Sequence, residues 1–271
     1  MDQTRKQVNQ QTQQLVKEWN GGKTKNLAKV GQMLSQLKIG LTQVSFLPTS
    51  PVDAVTLKQD LILARDVLEI GCLHSVASRD TQSFERYICQ LKTYYFDYRD
   101  HLEASAYMYQ ILGLNLLRLL SQNRVADFHT ELELLPASEI ASNVYISHPV
   151  CLEQWLMEGR YNKVFESKGN VPAASYCFFL ETLLNTIRVE IAGCLESAYE
   201  RMTIPEAVKV LLFNSTQELQ AFVQKEGKPW KTEGKDVLFG GRKEDKGLEK
   251  VPALQLMAQT ISYARELEMI V

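Results

Sequence analysis

The chain has 271 residues, 45% of them apolar and 23% charged, a balance that excludes a disordered or fibrous polypeptide. Lys and Arg number 30 against 32 Asp and Glu, and the net charge of −2 withholds the basic excess that drives non-specific binding to polyanions. The five cysteines (Cys72, Cys89, Cys151, Cys177, Cys194) are widely spaced, odd in number and without a C-x-x-C, so they support neither a disulfide framework nor a zinc site and fit reduced thiols.

The first twenty residues, MDQTRKQVNQQTQQLVKEWN, are Gln-rich and lack the apolar stretch of a leader, so no secretory signal is expected. The sequon at Asn214 is accordingly read as a decoy. From Leu27 a period of 3.6 dominates, and the strand period of two is almost absent until residue 200. Leu27, Val30, Leu34, Leu37, Leu41 and Val44 recur at steps of three and four; Pro48 and Pro51 end that helix, and Asp53 opens the next. Leu57, Leu61, Ala64, Leu68 and Leu73 continue the pattern, then Phe84, Tyr87, Ile88, Leu91 and Tyr95. The longest apolar run, 111–120, contains Asn115 and Arg118 and is too short to span a bilayer. After Leu112, Leu116, Leu119 and Leu120, a polar joint at 122–124 leads into Val125, Phe128, Leu132 and Leu135.

Helical segments of 12–20 residues with brief polar joints have the rhythm of stacked helix pairs. The pieces 121–128 (SQNRVADF) and 157–165 (MEGRYNKVF) look like echoes of one unit, yet no strict 34-residue period emerges, so the array reads as a degenerate helical repeat. The most regular stretch, 176–199, carries Leu180, Leu184, Ile187, Ile191, Leu195 and Ala198, and Cys194 inside it reads as a small core residue.

Beyond residue 200 the texture changes. Thr203 to Glu206 has capping-box spacing with an early Pro205 and starts a short helix through Ala207, Val210 and Leu211; Ser215 to Glu218 is a second box, starting a helix through Leu219, Phe222 and Val223. Gly227 and Pro229 stop it, and residues 230–232 and 236–239 read as two short strands around a turn. Three helices followed by a hairpin is the order of a winged helix. Residues 241–250 form a charged linker, and a last amphipathic helix runs to Val271. On that helix Leu254, Leu256, Met257, Ile261, Tyr263, Ala264, Leu267, Ile270 and Val271 fill an arc of roughly 200°, wider than the roughly 100° stripe of a helix lying on one surface. The helix either folds back on its own domain or reaches another chain through the linker.

Sites for chemistry are not apparent in the pattern. His74, His101, His129 and His148 form no H-x-H or H-E-x-x-H, which argues against a zincin or a JAMM-type metalloprotease. His129 and Glu133 share a helix face, but without a third ligand or a nucleophile they read as solvated or capping groups. No G-x-S-x-G and no P-loop occurs; residues 234–236 and 240–242 lack the needed glycines and hydroxyls. The aromatic run Tyr94, Tyr95, Phe96 and Tyr98 has no interleaved cations, so helix packing is expected over base stacking. Between Lys225 and Lys250 eight basic residues face six acidic ones, too small a surplus for a DNA-reading winged helix. No catalytic residue, cofactor or metal ligand is therefore assigned.

A helical array feeding a winged helix and a terminal helix is the order of the PCI-domain family, found in the proteasome lid, the signalosome and initiation factor three. The strings 114–133 (LNLLRLLSQNRVADFHTELE), 156–164 (LMEGRYNKV), 186–194 (TIRVEIAGC) and 262–271 (SYARELEMIV) resemble the proteasome-lid branch of that family. The likeness runs from residue 84 to 271 and is looser over the first forty residues and over 227–248. It implies a mainly α fold: a right-handed, TPR-like array over 1–175, the winged-helix part over 176–240, the linker 241–250 and a bundle helix over 251–271. It also implies a non-catalytic subunit in the cytoplasm and nucleus. Its winged helix would pack edge to edge with neighbouring lid subunits. Its last helix, through Leu254, Met257, Ile261, Ala264, Leu267, Ile270 and Val271, would join the lid's helical bundle, with no nucleic acid or membrane as partner. The rivals are a winged-helix nucleic-acid binder of the messenger-RNA export type and a signalosome-type scaffold.

Overall fold

A computed structural model describes residues 2–20, 27–43, 54–99, 102–213, 215–233, 236–239 and 253–269. The fold is mainly helical with one small antiparallel sheet, and it divides into two compact units, Met1–Thr186 and Ile187–Val271.

The first unit holds α1 (Asp2–Asn20), α2 (Leu27–Gln43), α3 (Ala54–Ala77), α4 (Thr81–Lys92), α5 (Met108–Ser121), α6 (Val125–Glu133), α7 (Ala137–Ser142), α8 (Val144–Met157), α9 (Tyr161–Glu166) and the first half of α10 (Tyr176–Ala198). Neighbours in sequence are neighbours in space: α1 packs on α2, α2 on α3, α3 on α4, and α5 on both α6 and α8. The apolar periodicity marks what is buried, with Val30, Leu34, Leu37 and Leu41 on α2, Leu61, Ala64 and Leu68 on α3, and Phe84, Tyr87, Ile88 and Leu91 on α4. Val44 and the break at 47–51 lie outside the described residues. The segments α1, α7 and α8 carry no element in the sequence reading. On α1 the buried line among the described side chains is Val8, Thr12 and Leu15, sparse among glutamines that are good helix formers.

Residues Ile111 through Ser121 of α5 are all buried, which explains a run apolar on every side. Its two polar breaks serve each other. Arg118 Nη2 donates to Asn115 Oδ1 at 3.1 Å, Nη1 donates to Gln122 Oε1 at 3.0 Å, and Nη1 lies 3.3 Å from Glu85 Oε1. Among the described residues no helix is long and apolar enough to cross a membrane. The aromatic run continues α4 as a π-turn, Thr93–Asp97, burying Tyr94 and Tyr95. There the Tyr95 hydroxyl donates to the buried Glu69 carboxylate at 2.8 Å.

Five helices end alike. At α3, α5, α8, α11 (Ile204–Val210) and α12 (Thr216–Glu226) a residue with φ of 55–70° follows the last turn: Arg79, Asn123, Gly159, Leu212 and Gly227. The next amide then donates to the carbonyl five residues back, at 2.8–3.2 Å (Asp80 to Ser75, Arg124 to Leu119, Arg160 to Trp155, Phe213 to Val208, Lys228 to Val223). The echoing pieces 121–128 and 157–165 share this turn. Asp80 and Asn143 cap α4 and α8 by accepting from the Ser83 and Tyr145 amides, each at 3.1 Å.

Within α8, Pro149 leaves the Tyr145 carbonyl without its usual amide donor four residues on. The Tyr176 hydroxyl reaches that carbonyl at 3.2 Å and the Gln110 carbonyl at 3.0 Å. Gly113 makes the approach possible, because a Cβ there would come well inside 3.0 Å of both the Tyr176 hydroxyl and the Tyr145 carbonyl.

The second unit comprises the rest of α10, β1 (Arg201–Thr203), α11, α12, β2 (Trp230–Glu233), β3 (Asp236–Phe239) and α13 (Ala253–Glu268). The expected hairpin forms as β2 and β3, with Trp230 opposite Phe239 and Lys231 opposite Leu238. The strand β1 is an addition that the sequence reading lacks. Three residues are too few to show a period of two, and they pair with β3 in the register Arg201–Leu238, Met202–Val237. Ser215 caps α12 as its box requires, accepting from the Glu218 amide at 3.3 Å. Thr203 departs from its box: its hydroxyl donates to Glu206 Oε2 at 2.8 Å, and its side chain makes no bond to the helix backbone. Cys194 is also a correction, since it is exposed, one position off the buried line of Leu180, Leu184, Ile187 and Leu195.

Candidate interaction surface

The second unit is organised around β3, the central strand of the order β1-β3-β2. Val237 and Phe239 point into a core with Ala192, Leu195, Ala207, Leu211, Leu219 and Phe222, while Asp236 and Leu238 alternate to the other face. Among the described residues β1 and β2 are edge strands, each with one side of its ladder unpaired.

Polar side chains hold this frame. The Trp230 ring meets Phe239 edge-on with centroids 5.0 Å apart, and its indole N–H donates to Glu196 Oε1 at 2.7 Å. Lys228 Nζ lies 3.2 Å from the same carboxylate oxygen. Leu212 takes a left-handed conformation unusual for a bulky residue, with φ of 55°. Arg188 anchors the turn: Nε donates to the Leu211 carbonyl at 3.3 Å, Nη2 to the Leu212 carbonyl at 3.2 Å, and the guanidinium covers the Phe213 ring at 4.5 Å.

Every described residue of α13 is exposed, including the large apolar ones: Leu254 at 80%, Ile261 and Leu267 at 67%, and Met257 at 52%. Leu254, Met257, Ile261, Ala264 and Leu267 follow one another at steps of three and four along one side of the helix. Ile270 and Val271, expected on the same face, lie outside the described residues, as does the linker 241–250. No apolar side chain of α13 is buried. A contiguous exposed apolar face of this kind makes α13 the candidate interaction surface. Two polar residues, Thr260 and Glu268, interrupt the face, and Thr260 turns its hydroxyl to the Leu256 carbonyl at 2.8 Å.

His129 Nε2 is 3.5 Å from Glu153 Oε1 on α8, so its carboxylate partner is not Glu133, and the histidine side chain is half exposed. Among the described residues no group of three or more His, Cys, Asp or Glu side chains could hold a metal ion. Cys72, the buried cysteine, has its thiol pushed far up by burial and then by Glu69, the opposite of an activated nucleophile.

The model of the CSN8/PSMD8/EIF3K family matches residues 106–248. The chain is 46% identical over 239 residues to 26S proteasome non-ATPase regulatory subunit 8 homolog A of Arabidopsis thaliana, covering 88% of this chain and 89% of that one. It is 36% identical to the Caenorhabditis elegans 26S proteasome non-ATPase regulatory subunit 8 over 79% of this chain and 84% of that one. It is 31% identical to the Schizosaccharomyces pombe 26S proteasome regulatory subunit rpn12 over 94% of each.

Proposed function

The chain belongs to the CSN8/PSMD8/EIF3K family, and from that membership we propose that it is a non-catalytic structural and assembly subunit of the lid of the proteasome's 19S regulatory particle. It supports ubiquitin-dependent degradation through protein–protein contacts. The observation that carries this reading is the 46% identity to a regulatory subunit 8 homologue over 88% of this chain and 89% of that one, a span that covers both units.

The finer assignments follow the same lines. Residues 1–175 act as a right-handed, TPR-like helical array, 176–240 as the winged-helix part of a PCI domain, 241–250 as a linker and 251–271 as a bundle helix. Support for the winged helix comes from the order helix, strand, two helices, hairpin, and from the small sheet with two available edges. Those edges meet PCI-type neighbours, and the α13 face of Leu254, Met257, Ile261, Ala264 and Leu267, with Ile270 and Val271 beyond it, enters a bundle of helices from other lid subunits. The protein works in the cytoplasm and nucleus, without cofactor, nucleic acid or membrane.

Sedimentation or native-gel analysis of the endogenous protein tests the reading. Most of it is expected in a particle many times its own 30.9 kDa. A species that runs solely at the monomer position would overturn it.

A further inference from the structure

We propose that a groove formed by α2, α3 and α4 receives an acidic, amphipathic segment of a neighbouring polypeptide. A carboxylate of that segment sits between Lys38 and Arg86, and an aliphatic side chain rests on the floor beneath them. The groove has a volume of about 280 Å³. That suits a pair of side chains better than a cofactor, whose clefts run to roughly 300–1,000 Å³.

Its floor is apolar and buried, built from Leu41 on α2, Leu68 on α3 and Tyr87 on α4. The Tyr87 ring is seated against Gly71, where any Cβ would come within 3.0 Å of it. Two cations stand at the rim. Lys38 Nζ lies 4.1 Å from the Tyr87 ring centroid. Arg86 Nη2 donates to the Ser83 hydroxyl at 3.3 Å and Nε to the Gln82 carbonyl at 3.4 Å, both on its own helix. Among the described residues neither cation is ion-paired with a carboxylate, whereas Lys29, Arg65, Lys92, Arg118 and Arg124 of the same unit all are. No acidic residue lines the groove among the described residues; Asp80 at the head of α4 feels the Arg86 charge but lies beyond ion-pair distance and caps the helix through the Ser83 amide.

Two preplaced cations over an apolar floor complement an acidic residue flanked by an aliphatic one. The same pair, without a wider basic stripe, is a poor track for a nucleic-acid backbone, so the chemistry favours a polypeptide.

The inference rests on the proposed place in a large assembly, and one preparation separates the two claims. The assembly is purified through the full-length chain and treated with a water-soluble carbodiimide, which joins a lysine amine to a touching carboxylate. Lys38 is expected to couple to a Glu or Asp of another polypeptide, and the link should survive nuclease treatment. R86Q, an exposed change that leaves the thermal midpoint unaltered, is expected to lower the yield of that link by about three- to tenfold. Coupling of Lys38 to its own chain only or to nothing, loss of the link on nuclease treatment, or full yield in R86Q overturns the inference alone. A chain that sediments by itself overturns the proposed function and this inference together.

Discussion

At the residue scale, the most demanding site joins Gly113, Tyr145, Pro149 and Tyr176. Pro149 removes an amide from α8, the fully buried Tyr176 supplies a hydroxyl in its place, and Gly113 leaves the room. Because one of the atoms that a new methyl would meet is a backbone carbonyl, it cannot be moved aside by a rotamer change. G113A is therefore expected to cost about 1–3 kcal/mol, read as a lower urea midpoint of the purified chain. An unchanged midpoint would mean that the Tyr176 bridge is not formed.

His148 stands edge-on to the same Tyr176, with both ring nitrogens buried and unpartnered. Burial disfavours its imidazolium and holds the pKa below the ordinary 6.5. Between the lowered value and 6.5 the unfolded chain binds a proton that the folded chain refuses, so this residue makes stability fall as the pH drops below about 6.5. Glu69 works the other way, since burial raises its carboxyl pKa and the folded chain keeps that proton where the unfolded chain has lost it. Comparing wild type with H148L isolates the histidine. The variant's unfolding free energy should fall less steeply between pH 7 and 5, by at most about 1.4 kcal/mol per pH unit. Parallel curves would show that the imidazole is solvated.

At the scale of elements, α13 separates two properties that amphipathic patterning combines. Its period forms the helix, but the burial that usually stabilises such a helix is absent, as every described side chain is exposed. Charges on the apolar side, M257E with I261E, should therefore leave the thermal midpoint of the isolated chain within about 1 °C, because such surface changes stay within roughly 0.5 kcal/mol. The same pair should abolish incorporation into the large particle, measured by co-sedimentation with its other subunits. Loss of the isolated fold would instead place the helix inside its own domain. The strand β1 is the opposite case: too short to hold a pattern, it exists because β3 offers it a ladder.

At the scale of the whole molecule, charge decides more than fold. A helix-rich chain with a small sheet could serve nucleic acid or protein, and fold alone does not choose between them. With a net charge of −2, it has few counterions to release from a duplex. Titration of the purified protein against duplex DNA and RNA at physiological salt should show no saturable binding tighter than about 10 µM. Tight binding with a steep salt slope would revive the nucleic-acid reading.

The apolar lines of α2 to α5 and α10, the second capping box and the hairpin strands were legible because each is local: a period, a cap or a turn within a dozen residues. The sequence by itself also determined the lack of chemical motifs and the faces that helices would present. Elements whose cause lies elsewhere in the chain were not legible. The helix α8 looks broken at Pro149 until a hydroxyl from α10 satisfies its carbonyl, and α1 is a helix because α2 covers its thin apolar line. Cys194 took its exposure from which side of α10 the second unit's core occupies. The groove of Lys38, Arg86 and Tyr87 joins three helices, so no window of sequence contains it. Periodicity specifies which side of a helix is apolar, but burial depends on what arrives to cover that side, and only the tertiary structure places α13 among the uncovered ones.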